Sequence, residues 1–92
     1  MKAVKTRYHG ATNTMPARII ASAEPHGKNS VTVEYESCLS PADNHRYAAL
    51  TLCKKLKWYG LYSEGHLDRD TQVYVPARSK DWGFILDVGE AP

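Results

Sequence analysis

The stretch SPADNHRYAALTLCKKLKWYG, residues 40–60, decides the fold class. Ser40 can cap a helix with its hydroxyl, Pro41 suits the first helical position, and Asp43 suits the positive end of the helix dipole. Gly60 is the expected stop. At about 100° per residue, Ala42, His45, Ala49, Leu52, Cys53 and Leu56 fall on one face. Such a stripe must be covered by another element, and no second helix of this quality is present to cover it. The flanking sequence supplies strands instead.

Before the helix, residues 3–8 alternate, with Val4, Thr6 and Tyr8 on one face and Lys5 and Arg7 on the other. Residues 9–16 form a polar loop. Residues 17–23 read as a second strand, and 24–29 as a turn marked by Pro25 and Gly27. Residues 31–35 alternate cleanly, with Val31, Val33 and Tyr35 on one side. After the helix, residues 61–63 read as a brief strand and 64–71 as a charged loop. Residues 72–76 and 83–88 read as a hairpin joined by 77–82. Val73, Val75, Phe84, Leu86 and Val88 are expected to point inward. Ile20, Thr32, Tyr74 and Ile85 are expected on the open face of the sheet. The expected fold is α+β: an antiparallel sheet of about five strands, β-β-β-α-β-β, with one helix on one face.

Ninety-two residues suffice for one domain, spanning 1–92. An apolar content of 42% with near-balanced charge excludes full disorder. The longest apolar run is Tyr47-Ala48-Ala49-Leu50, far short of a membrane span, and the N-terminal MKAVKTRYHG lacks the apolar segment of a secretory signal. Cys38 and Cys53 are expected as reduced thiols, with Cys53 in the core. His9, His26, His45 and His66 have no metal-ligand spacing to one another or to a cysteine, so no metal and no cofactor is expected.

The net charge of +2 hides blocks. Residues 1–30 carry five basic groups and one acid, 31–45 carry three acids, and 46–58 carry Arg46, Lys54, Lys55 and Lys57 with no acid. Lysines near a helix C-terminus complement the dipole, which is the structural reading of this last block. Yet Tyr47, Thr51, Lys54 and Trp58 align on the helix face away from the core. Aromatics beside cations make interface hot spots, and they can stack on unpaired bases while the cations meet phosphates. The competing expectation is that Trp58 folds back over the sheet edge.

Catalytic signatures are missing: the sequence holds no GxSxG, HExxH, P-loop or GxGxxG. Glu34 with Glu36, and Asp68 with Asp70, read as solvated pairs. A small metal-independent ribonuclease needs a histidine and a cation, for which His9 or His26 with Lys28 are the candidates. His45, on the core face of the helix, reads as a buried structural histidine. A nucleic-acid-binding regulator using the Lys54–Trp58 helix end is the second alternative.

Three segments carry a resemblance: YHGATNT at 8–14, NHRYAA at 44–49 and KLKW at 55–58. With ARIIAS and VTVEYE between them, the frame resembles short accessory proteins of phages and mobile elements. Within that group it most resembles the anti-CRISPR proteins that inhibit the type I-F (Csy) surveillance complex. The resemblance implies a non-enzymatic inhibitor acting in the cytoplasm of the infected bacterial host. It would bind the complex of Cas subunits and crRNA and prevent target DNA from hybridising to the guide, with no membrane or small-molecule substrate involved. It would place Lys28 and Asn29 at one hairpin tip and Arg78 and Lys80 at another. With the residues read from the helix itself, the expected partner-binding set is Lys28, Asn29, Tyr47, Lys54, Lys55, Trp58, Arg78 and Lys80.

Overall fold

A computed structural model describes residues 3–24, 29–77 and 84–90. The elements run β1 (Ala3–His9), β2 (Arg18–Glu24), β3 (Ser30–Glu34), α1 (Pro41–Leu56), β4 (Leu61–Asp68), β5 (Thr71–Pro76) and β6 (Ile85–Asp87). One antiparallel sheet holds all six strands in the order β3-β2-β1-β5-β4-β6. The fold is α+β, and the single helix among the described residues packs on β1, β2 and β3.

Small residues set how close the helix comes. Ala21 on β2 and Ala48 and Ala49 on α1 are fully buried, so the two backbones approach with Val4, Ile19 and Leu52 filling the space around them. Cys53 is buried in this layer and Cys38 is exposed, and among the described residues neither is in a disulfide. Tyr62 and Tyr74 extend the core under the other half of the sheet. Burial pushes the Tyr62 phenol up to about 12, and its hydroxyl has no hydrogen-bond partner among the described residues.

The helix starts as expected. Ser40 Oγ accepts from Asp43 N at 3.1 Å, and Pro41 opens the first turn. Its end differs from the expected stop at Gly60. Lys57 takes the left-handed conformation, with φ 59°, and its N–H reaches the carbonyls of Cys53 and Lys54. Gly60, with φ 106°, instead turns the chain into β4, where its N–H donates to Gly89 O.

Three expectations on the C-terminal half are corrected. The charged stretch 64–71 is mostly strand: β4 runs eight residues and meets β5 through Arg69 and Asp70. Charge misled there because Glu64 is paired internally and residues 66–68 face solvent, so the strand tolerates them. Next, β6 pairs with β4 and not with β5, so 72–76 and 83–88 do not form a hairpin. Last, the phase of β5 is shifted by one. Val4 lies opposite Tyr74 and Thr6 opposite Gln72, which turns Gln72 and Tyr74 toward the helix and Val73 and Val75 away. Tyr74 therefore leaves the open face, where Ile20, Thr32 and Ile85 remain. The alternating QVYVP fits either phase; the larger tyrosine, with a buried acceptor for its hydroxyl, wins the interior. Leu86 and Val88 point inward as expected, whereas Phe84 is exposed.

Candidate functional site

On the outer face of α1, Tyr47 is 53% exposed. Thr51 Oγ1 donates back to Tyr47 O at 2.8 Å, so the hydroxyl is turned onto the helix. Lys54 and Lys55 are exposed. Lys55 Nζ donates to Ser30 O at 3.3 Å, which ties the basic helix end to the start of β3 beside exposed Asn29. Two segments of the expected binding set thus meet on one surface. Trp58 lies past the helix, half-buried against the core, and its backbone N–H donates to Cys53 O. Lys28, Arg78 and Lys80 lie outside the described residues, as does His26.

Arg46 does not belong to this surface. Its guanidinium clamps Glu64 with two bonds, Nε to Oε2 at 2.9 Å and Nη2 to Oε1 at 3.1 Å, and reaches Asp43 at 3.3 Å. Tyr74 donates to Glu64 Oε2 at 2.7 Å, and the Gln72 amide lies 2.9 Å from the same hydroxyl. Phe84 covers the pair, its ring centre 3.4 Å from the guanidinium carbon. Burial alone would raise the Glu64 pKa, but the Arg46 and Tyr74 hydrogen bonds and the Arg46 charge together hold it below its usual value. Tyr74 is driven up, first by burial and then by the carboxylate it faces. This network joins α1 to β4 and β5.

A cleft of about 320 Å³ opens at the other end of the helix, lined by Tyr8, Tyr35, Pro41, His45, Arg69 and Asp70. Tyr8 and Tyr35 meet edge to face, with centroids 5.2 Å apart and planes at 69°. His45 is 3% exposed, and its Nδ1 lies 2.8 Å from Thr6 Oγ1. Burial lowers its pKa, against the raising effect of Glu64 and Asp70, so the imidazole is neutral at pH 7. Asn44 fixes the approach to the cleft: its Oδ1 accepts from Glu36 N, and its Nδ2 faces the carbonyls of Glu36, Leu39 and Ser40. The β4–β5 turn is held as firmly, since Asp68 Oδ1 accepts from Asp70 N at 2.8 Å and Asp70 O accepts from Tyr8 N at 2.9 Å.

Two of the three segments that carry the resemblance reach this region, and the third, 55–58, lies at the far end of α1. Tyr8 belongs to the first, and Asn44, His45 and Arg46 to the second. Sequence reading placed His45 in the core correctly but missed that its neighbours form a cleft. Tyr35 shares a side with Val31 and Val33, which was a usable signal. Arg69 and Asp70 gave none, because 64–71 read as loop.

Among the described residues, no group of three histidines, cysteines or carboxylates could hold a metal ion. No helix there is long and apolar enough to cross a membrane. No family model, no curated protein sequence and no solved structure matches the chain.

Proposed function

We propose that this protein inhibits the type I-F CRISPR surveillance complex by binding it, and that bound there it blocks hybridisation of target DNA to the guide. The juxtaposition of the outer face of α1 with the start of β3 supports this reading: Tyr47, Lys54 and Lys55 share one exposed surface with Asn29. An aromatic ring flanked by cations suits a nucleoprotein partner, which offers acidic protein, phosphate and stackable rings together. The helix that carries that surface packs on the sheet through buried Ala48, Ala49, Leu52 and Cys53, which favours docking with little reordering of the backbone.

The deciding experiment is co-elution with a purified Csy complex, followed by a target-DNA shift assay. The inhibitor co-elutes and abolishes the shift. A complex that elutes alone and still binds its target defeats the reading. The double variant Lys54→Glu, Lys55→Glu weakens binding by more than about 1 kcal/mol, through loss and inversion of two interface charges. Unchanged affinity with an intact fold moves the partner off this surface.

A further inference from the structure

The cleft between β1, the N-terminal turn of α1 and the β4–β5 turn is not used by that docking surface. We propose that it takes one unpaired nucleotide of a single-stranded RNA, with the base against Tyr8, Tyr35 and His45 and its phosphate at Arg69. The proposal rests on the reading that the partner is an RNA-guided complex, and it names where the guide strand is touched.

Four observations carry it. The volume, about 320 Å³, lies at the small end of ligand sites, which run from roughly 300 to 1,000 Å³. It admits a single ring system and little more. The lining holds two tyrosine rings set edge to face, a proline and an imidazole. An aromatic lining favours a planar group, and every base has a π-face to offer. The imidazole is fixed by Thr6 and buried, so its hydrogen-bonding edge is set before a ligand arrives. Finally, Arg69 and Asp70 bring opposite charges side by side to the mouth. Arg69 makes no ion pair within 4.0 Å among the described residues. A ligand suited to both must carry hydrogen-bond donors at one edge and an anion at the other end. A nucleotide does, with amino or imino hydrogens toward the Asp70 carboxylate and phosphate toward the guanidinium.

The geometry also excludes duplex. A paired base is stacked out of reach, and one ring cannot enter a cleft this small with its partner attached.

The test is an NMR titration of the full chain with short single-stranded oligoadenylate and oligouridylate, with an RNA duplex as control. Single strands shift the signals of Tyr8, Tyr35, His45 and Asp70, and the duplex leaves them in place. Tyr35→Leu weakens strand binding by about tenfold, the loss of one stacking platform. Should that variant fail to fold, Arg69→Ser serves, because its side chain is exposed. It flattens the slope of log affinity against log salt by about one. Silence of the cleft signals, equal shifts with duplex, or an unchanged salt slope in Arg69→Ser overturns the inference. Shifts from free adenosine monophosphate without shifts from the strands overturn it too. Co-elution with the Csy complex beside a silent cleft removes this inference alone. Cleft shifts without co-elution remove the inhibitor reading and leave the nucleotide site.

Discussion

Glu64 keeps only 4% of its side chain exposed, and Arg46 decides that it stays ionised there. Removing Arg46 strands a buried carboxylate that still faces Tyr74. Arg46→Ala is expected to destabilise the fold by about 2–3 kcal/mol in urea unfolding, the range for a lost charged hydrogen-bond pair discounted for the part that reaches solvent. Two residues give the fold an acid limit in separate windows. His45 has a lowered pKa when folded, so as pH falls through its usual 6.5 the unfolded chain gains a proton that the folded chain refuses. Glu64 also has a lowered folded pKa, so its share of stability is complete above its usual 4.5 and fades as pH drops below it. Urea midpoints measured from pH 8 to pH 3 are expected to fall in two stages. His45→Gln removes the upper stage and keeps the lower. Asn44 is the residue that sequence could not reveal: asparagine at the second turn of a helix reads as an ordinary polar position, and only tertiary structure shows it bonding the loop that precedes α1.

At the level of elements, the start of α1 was legible and its end was not. Ser40, Pro41 and Asp43 act locally, so their meaning survives without knowledge of the fold. The stop at Lys57 is set by the need to bring Trp58 back onto the core, a tertiary demand that overrides residue preference. A left-handed lysine is strained, and glycine adopts that conformation freely. Lys57→Gly is therefore expected to raise stability by about 0.5–1 kcal/mol, read as a higher thermal midpoint. The strands divide in the same way. The clean alternation of residues 31–35 fixed β3, whereas the alternation of 72–76 admitted two phases. The phase was settled by Glu64, eight or more residues upstream, which the sequence had shown only as one charge in a charged run. Two of the six residues that line the cleft, Arg69 and Asp70, were hidden for the same reason, because they form the turn of a hairpin that charge had disguised.

Across the whole molecule, the near-zero net charge resolves into separate surfaces. Arg46 is consumed internally, and the lysines of α1 stand outside. The cleft lies at the N-terminal end of α1 and Lys54 and Lys55 at its C-terminal end, so a single partner that reaches both must lie along the helix. The sheet order has a further consequence, and it concerns synthesis. β1 is made first but sits in the middle, hydrogen-bonded to β2 on one side and to β5 on the other, with Val4 opposite Tyr74. While the ribosome is still working, β3, β2, β1 and α1 can assemble, and β1 then presents a bare edge of unpaired backbone groups until β5 emerges. A fragment comprising residues 1–60 is expected to self-associate through that edge. Analytical ultracentrifugation showing a stable monomeric fragment would refute this. In the cell, the interval between making the helix and making β5 is when this chain is most exposed to aggregation and to proteases.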